Sequence, residues 1–197
     1  NSYLQTEGST HVGSVRLWGL FSYLKSYEDS TMYNHQTRNN SSVPFYFGSP
    51  INVKYERSVY RLKAMAEKEL LKKNLPFGLG ADYRIGNHFS ANDPRGSIND
   101  LQFNLIATIG YHLYEKLKLG AAYRFGYGQE LIDIGYKNTS YTQSNVKPEY
   151  TNYLINGYGE AWEAKNILEY DNNQDRSGLD LYINYQSIPA GTFLFSY

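Results

Sequence analysis

The 197-residue sequence predicts an all-β fold: an antiparallel, up-and-down transmembrane β-barrel, or about seven to eight strands of one. Apolar and polar residues alternate strictly along three runs of the chain, and the apolar side of each run carries no charge. Long connections between these runs alternate with short ones. This combination is typical of strands that present an apolar face to lipid and a polar face to an enclosed lumen.

The three alternating runs cover residues 77–86, 101–113 and 119–128. A tilted strand needs about 9–11 residues to cross the hydrocarbon core of a membrane, which these runs provide. A soluble two-layer sheet would alternate in the same way with its apolar side as the core, so the runs alone leave both alternatives open. We predict lipid contact for the apolar set: Phe77, Leu79, Tyr83, Phe103, Leu105, Ile109, Tyr111, Tyr123 and Phe125.

The N-terminal third gives weaker signals. Residues 1–10 are polar and predict a loop, whereas residues 11–29 predict a first strand, although Trp18 and Leu20 fall on its polar side. Residues 51–71 are rich in Ala, Glu, Lys and Leu, and propensity alone favours a helix there. They also alternate, and the neighbouring hairpins favour a strand, so we predict a strand.

The connections between these strands indicate on which side of the sheet each strand ends. Residues 179–186 alternate cleanly, and residues 193–197 begin another strand. Outer-membrane barrels have tight turns at one end and long loops at the other, an order that a soluble sandwich has no reason to keep. The predicted long connections are 29–50, 87–100 and 131–177, and the short ones are 72–76, 114–117 and 187–191.

Composition excludes several classes of protein. The formal net charge is zero and cysteine is absent, so we expect neither nucleic-acid binding nor a disulfide framework. Tyrosine is abundant, with 21 residues against 9 Phe and 2 Trp, which suits the aromatic girdles of a membrane barrel. No apolar run is long enough for a transmembrane helix. Residue 1 is Asn and no signal peptide follows, so we expect a processed chain or an internal piece.

Several short segments spread over residues 12–190 point to one family. They read Gly19-Leu20-Phe21-Ser22-Tyr23, Tyr60-Arg61-Leu62, Gly80-Ala81-Asp82-Tyr83-Arg84, Asn92-Asp93-Pro94-Arg95, Asn99-Asp100-Leu101, Ile109-Gly110-Tyr111 and Leu119-Gly120. Together they resemble the N-terminal half of a family of outer-membrane β-barrel proteins of Bacteroidota, known only as a domain of unknown function. The resemblance implies that residues 1–197 are a single domain in the bacterial outer membrane, and a fragment of a longer barrel.

The polar side of the alternating strands is the predicted lumen. One interpretation is a selective pore lining, and the other is an interior filled by its own network of ion pairs and hydrogen bonds. The mixed signs of the charges favour the network, because a strongly selective pore would show one dominant charge. The predicted lumen residues are Arg57, Arg61, Lys63, Glu67, Glu69, Asp82, Arg84, Gln102, Asn104, His112, Arg124, Asp180 and Asn184.

The segment Asp93-Pro94-Arg95 lies in a predicted outer loop, and its composition favours a turn in which Asp93 accepts backbone hydrogen bonds. Arg95 is the residue of this motif to test for binding of an anionic ligand. His88, Ser90 and Asp93 would allow a hydrolase site to be drawn, but no nucleophile elbow supports it. We therefore expect no enzyme. No spacing of ligands predicts a metal, and no motif predicts a cofactor.

The function predicted from these features is a non-enzymatic outer-membrane protein, either a passive channel or a component of an envelope assembly. Its expected partners are outer-membrane lipid and, at the outer loops, other envelope proteins or glycans. The alternative is a surface-exposed β-sheet module that binds glycan or protein through the tyrosines of residues 131–177, since aromatic rings beside amides suit sugar stacking. Loops that pack on one another over the barrel mouth would explain the same tyrosines.

Overall fold

The computed structural model describes residues 1–37, 45–70, 75–114, 116–142, 146–157, 159–164, 168–187 and 191–196, with side chains as far as Tyr185. Its main sheet has eight strands, and each pairs antiparallel with its neighbours. In sheet order these strands are β1 (Ser2–Val12), β2 (Val15–Thr31), β4 (Val53–Leu70), β5 (Leu75–Ser90), β6 (Arg95–Tyr114), β7 (Leu117–Gly135), β10 (Glu169–Ser187) and β11 (Gly191–Ser196). The prediction of an antiparallel, up-and-down all-β fold is confirmed.

Three short strands form a second sheet, which we call the loop sheet. It consists of β3 (Phe45–Gly48), β8 (Tyr153–Asn156) and β9 (Ala161–Glu163). Strand β3 lies in the connection between β2 and β4, and β8 and β9 form a hairpin in the connection between β7 and β10. Both long connections therefore contribute to one structure. No helix in the described part of the chain is long and apolar enough to cross a membrane.

Several predicted boundaries were wrong. Residues 1–10 are not a loop, because β1 pairs with β2 along its whole length through a turn at Gly13. This edge strand is exposed at every residue and so lacks the alternation that burial imposes. Residues 87–100 are mostly strand, since only residues 91–94 separate β5 from β6. The connection predicted over 131–177 is shorter at both ends, whereas the strand predicted over 51–71 is confirmed as β4.

The cross-strand register places the two predicted sets of residues on opposite faces of the main sheet. Tyr83 pairs with Phe103, and Leu105 with Phe125, so these apolar side chains share the face that we call outward. Phe125 is 59% exposed, and the aromatic rings of Tyr83 and Phe103 cover each other in part. All nine residues predicted to contact lipid lie on this outward face. Their contact with lipid itself stays a prediction.

The polarity of the two faces inverts along β6 and β7. From Leu101 to Leu113 the outward residues of β6 are apolar, but Arg95, Ser97 and Asn99, at its start, are polar and exposed. The side chain of Ile98 is buried on the opposite, inward face. Strand β7 repeats the change: Ile132 and Ile134 are buried inward, whereas Gln129 and Asp133 are exposed outward. The strands thus extend beyond the apolar band into a second environment.

The hydrophobic core lies in this second environment, between the inward face and the loop sheet. Its fully buried members are Phe47 from the loop sheet and Val53, Tyr55, Ile98, Ile132 and Ile134 from the main sheet. Leu154 of β8 packs against them. Burying side chains of this size contributes about 1.5–3 kcal/mol each, enough to hold two long connections over one end of the sheet.

Candidate functional site

Polar side chains from five neighbouring strands meet on the inward face, in the middle of the sheet. Arg61 pairs in register with Arg84, Asp82 with Asn104, and Arg124 lies opposite Gly178. Partners that lie directly opposite each other project to the same face, so their side chains form a continuous surface. By the same register, all thirteen residues predicted to face the lumen, from Arg57 to Asn184, share the inward face.

Asp82 is the centre of one ion-pair cluster. Its two carboxylate oxygens accept hydrogen bonds from Nε and Nη2 of Arg61, at 2.9 and 2.6 Å. The Lys63 ammonium lies 3.6 Å from the same carboxylate. A bidentate Arg–carboxylate pair fixes both side chains in one geometry, so Asp82 and Arg61 form a stable part of the wall. The predicted network of ion pairs is present at this point.

Arg124 and Asp180 form a second ion pair across β7 and β10. Nη2 of Arg124 donates to Oδ1 of Asp180 at 2.7 Å. The Arg124 side chain is half exposed, so solvent screens this pair. Gly178 leaves room for the Arg124 guanidinium, whose nearest atom would be 3.8 Å from a Cβ at that position.

A buried polar layer separates the middle of the sheet from the hydrophobic core. Asp100 is 1% exposed, contacts the Arg84 guanidinium, and lies 3.0 Å from Nε2 of the buried His88. Arg57 is also buried, and its Nε is 2.9 Å from a Glu28 carboxylate oxygen. Buried charges are tolerated when they are paired, and each of these has a partner.

The middle of the inward face carries an open cavity of about 500 Å³. Four arginines, Arg61, Arg84, Arg124 and Arg176, line it together with Asp82 and Asn104. The predicted residues Glu67, His112 and Asn184 lie towards the short turns instead, where Glu67 pairs with Arg16 at 3.3 Å. The cavity is therefore lined by only some of the predicted lumen residues, and its lining has more basic than acidic side chains.

Sequence reasoning missed Arg176 and the buried residues Asp100 and Glu130. Arg176 fell inside the segment that we predicted to be a loop: it shares the inward face with Gln174, Gly178 and Asp180, but its neighbours Asp175 and Ser177 are polar, so no hydrophobic period marks it. Asp100 was likewise assigned to a connection. For Asp100 the signal that could have identified it is the period of two that places Ile98 and Asp100 on one face, extended past the apolar band.

The motif Asp93-Pro94-Arg95 forms the tight turn between β5 and β6. The two carboxylate oxygens of Asp93 accept hydrogen bonds from the backbone N–H groups of Lys137 and Asn138, at 2.9 and 3.0 Å. Arg95 is exposed and pairs with Asp93 at 3.2 Å. Asp93 thus anchors the start of the long connection after β7, as its predicted role as a backbone acceptor requires.

The three residues considered for a hydrolase site, His88, Ser90 and Asp93, have other partners. His88 contacts Asp100, and the Ser90 hydroxyl accepts a hydrogen bond from the backbone N–H of Gly96 at 2.9 Å while donating to the carbonyl of Pro94 at 3.0 Å. Among the residues described, no hydrogen bond joins His88 to Ser90 or Asp93. The described residues also contain no group of three His, Asp or Glu that could hold a metal ion.

Two groups beside the hydrophobic core, His35 and Tyr136, have shifted pKa values. His35 is buried beside Arg57 and contacts the Tyr55 hydroxyl, and burial, with the nearby positive charge, lowers its pKa to about 4. Tyr136 donates to the Tyr150 carbonyl at 2.9 Å, and burial, with the Asp93 carboxylate, raises its pKa to about 12. Both groups are therefore neutral near pH 7, which suits a packed interior.

The fold is similar to that of a solved transporter. A structural comparison aligns the chain with the Pseudomonas putida toluene transporter TodX at a TM-score of 0.51 and 12% sequence identity. The match covers 98% of this chain and 52% of the transporter, so the chain spans about half the length of that protein. At this identity the likeness concerns the fold alone, which is that of an outer-membrane β-barrel.

Sequence comparisons give a family and no further relative. The profile of a family of unknown function, DUF6850, matches residues 1–197. No curated protein matches the sequence.

Proposed function

We propose that this chain, which belongs to the DUF6850 family of unknown function, forms part of the wall of a non-enzymatic β-barrel channel in the bacterial outer membrane. Small polar solutes would pass along its inward face. The sequence resemblance implies a source in Bacteroidota. Strands β1 and β11 are the open edges of the described sheet, so further strands are needed to close the barrel.

The observation that carries this proposal is the contrast between the two faces in the middle of the sheet. The outward face presents exposed apolar side chains such as Leu105, Tyr123 and Phe125. The inward face holds charged and amide side chains around a cavity of about 500 Å³. A soluble sheet would bury its apolar face, whereas a membrane barrel places it against lipid and keeps water inside.

The loop sheet supports a channel whose outer end is restricted. Its core packs over the inward face above the cavity, so solute entering from that side meets the side chains of Phe47 and Tyr55. An anchor or assembly component would need the outward band but has no use for a polar cavity. The cavity therefore favours conduction over a purely structural role.

Reconstitution of the intact protein into planar lipid bilayers tests the proposal. We expect discrete current steps, and we expect larger steps after removal of the loop sheet segment 45–48. An intact protein that stays monodisperse in plain buffer would reject the membrane barrel. A protein that inserts but gives no current would reject conduction and favour an assembly role.

A second candidate function, binding of a glycan at the outer loops, is supported by one pocket in the connection between β7 and β10. The rings of Tyr141 and Tyr150 stack there with centroids 3.8 Å apart, beside a small cavity of about 80 Å³. Asn152 lines this cavity and is 3% exposed, and neither its Oδ1 nor its Nδ2 has a partner among the described residues. A buried amide without partners is costly, and a sugar hydroxyl could satisfy it.

Binding of the intact protein to a glycan array tests this second function. We expect any retained glycan to be lost with Asn152→Ala and kept with Asn138→Ala, a matched change at an exposed residue. Binding that survives Asn152→Ala, or no retained glycan at all, would contradict the assignment. The channel proposal does not depend on this result.

A further inference from the structure

The cavity on the inward face has an excess of positive charge. Four guanidinium groups, from Arg61, Arg84, Arg124 and Arg176, line it against the single carboxylate of Asp82. Three of these arginines have a carboxylate partner: Arg61 pairs with Asp82, Arg84 with Asp100, and Arg124 with Asp180. Their charges are therefore matched within the wall of the sheet.

Arg176 differs from the other three arginines. Within the described residues it has no ion pair, and its Nη1 atom is inaccessible to solvent and has no hydrogen-bond partner. A guanidinium carries five N–H donors and no acceptor, so only an acceptor can satisfy it. A buried donor without an acceptor is unfavourable, and a ligand oxygen would satisfy it once the guanidinium turns to present Nη1 to the cavity that Arg176 lines.

The space for such a ligand is the cavity of about 500 Å³ that Arg176 lines. Arg176 lies opposite Gly126 in register, and a Cβ at Gly128 would stand 3.7 Å from its Nη1. Gly178, the next inward residue on β10, also lacks a side chain. The guanidinium therefore lies beside Gly128, and it lines the same cavity as the amide side chains of Asn104 and Gln102.

We infer that this cavity is a binding site for the carboxylate or phosphate group of a small water-soluble solute, with Arg176 as its principal donor. The planar guanidinium matches the two oxygens of such a group, and among the described ion pairs its charge is the one in the lining that no carboxylate offsets. This inference rests on the proposed channel, because it names the class of solute that the channel would accept. Ordered water satisfying Nη1 is the alternative that the experiment must separate.

Titration of the purified intact protein in detergent with inorganic phosphate, followed by calorimetry, tests the site without requiring conduction. We expect phosphate binding, weakened about tenfold in Arg176→Gln, because one charge-assisted hydrogen bond is lost. Arg176→Lys should keep part of the affinity, since it retains the positive charge but not the two parallel N–H donors of the guanidinium. Arg16→Gln is the matched control: it changes an arginine paired with Glu67, away from the cavity, and should leave binding unchanged.

The outcomes separate the site from the channel. No phosphate binding by the folded protein, or equal binding by Arg176→Gln and the wild type, overturns the site and leaves water as the partner of Nη1. Circular dichroism of each variant shows whether the barrel is folded, and Arg176→Lys provides a second reading if Arg176→Gln unfolds. Phosphate binding without current in bilayers keeps the site but rejects the channel. Current without any effect of phosphate or of Arg176→Gln keeps the channel but rejects the site.

Discussion

Two regions of the same inward face differ sharply although the same strands build both. At the outer end, β4, β6 and β7 contribute Tyr55, Ile98 and Ile132 to a dry core under the loop sheet. In the middle, the same strands contribute Arg61, Asn104 and Arg124 to a polar cavity. The strands continue without a break between the two regions, so the difference comes from what covers the face.

This difference shows how one sheet can have a buried apolar region at one end and a hydrated polar region in its middle. Where the loop sheet covers the face, apolar residues are buried and stabilise it. Where no described segment covers the face, charged residues stay hydrated and pair with one another. The buried layer of Asp100, His88 and Arg57 lies between them, and its charged members Asp100 and Arg57 have charged partners, because an unpaired charge without water is costly. Each region therefore makes distinct predictions for substitution.

The largest effect is expected from Phe47→Ala in the loop sheet. Phe47 is fully buried in the core, and truncating such a side chain costs about 3–5 kcal/mol. We expect the loop sheet to detach while the main sheet stays intact, which would raise single-channel conductance and expose residues 45–48 to protease. Phe125→Ala, on the outward face, is the control and should leave both readouts unchanged. Protection of the loop sheet in Phe47→Ala would show that this core does not hold it.

Acidification should weaken the same region by nearly as much. The folded pKa of His35 is about 4, below its ordinary value of 6.5, so the unfolded loop takes up a proton first as the pH falls. The contribution of neutral His35 is therefore complete above pH 6.5 and is lost progressively towards pH 4, by roughly 3 kcal/mol. Hydrogen exchange of β3 between pH 7.5 and pH 4.5, corrected for the intrinsic rate, measures this loss.

His35→Gln provides the comparison for the pH experiment. Glutamine keeps a polar group beside the Tyr55 hydroxyl but does not titrate, so the exchange of β3 should lose most of its pH dependence. An equal pH dependence in both proteins would assign the effect to another titratable group. Exchange in the middle of β6 should not respond in either protein.

A smaller effect is expected from Gly96→Ala. A Cβ at Gly96 would clash with the Tyr55 hydroxyl and stand 2.7 Å from Nδ1 of His35, and such overpacking costs about 1–3 kcal/mol. We expect a lower denaturant midpoint for the loop sheet region. Gly135→Ala is the matched control, because nothing lies within 4 Å of its Cβ position. Equal midpoints for the two variants would mean that the buried end is less tightly packed than the distances indicate.

The smallest effect is expected in the wet region, from Asp180→Asn. Its ion pair with the half-exposed Arg124 is screened by water, and exposed pairs contribute about 0–1 kcal/mol. We expect an unchanged denaturant midpoint within error. A loss comparable to that of Phe47→Ala would show that the middle of the inward face is dry, which would remove the distinction between the two regions.

The fold was predictable because apolar and polar residues alternate with a period of two in the apolar band. That alternation identifies strands whose apolar face contacts either lipid or a core. Residues such as Leu105 and Phe125 carry that signal on the outward face, and Asp82 and Arg84 carry it on the inward face. The predictions failed where the polarity inverts: Ile98 and Asp100 alternate as regularly as the rest, but with the apolar side inward, so their strand looked like a polar loop. The edge strand β1, exposed at every residue, carried no such pattern.

The candidate site was predictable in part and for a related reason. Arg61, Asp82, Arg84 and Arg124 were identified because they alternate with apolar neighbours. Arg176 alternates with polar residues only, namely Asp175 and Ser177, so no periodicity marked it as part of a strand. Its lack of a carboxylate partner among the described residues depends on the register between β7 and β10, which a single sequence does not reveal.

The inversion of polarity along β6 also records how deeply this sheet would sit in a bilayer. Its outward face is apolar from Leu101 to Leu113, a stretch about 40 Å long at about 3.3 Å per residue. Tilted by about 40°, as strands of membrane barrels are, this stretch rises about 30 Å, the thickness of the hydrocarbon layer. The water boundary then crosses β6 near Leu101, which leaves the buried layer and the loop sheet standing above the membrane surface.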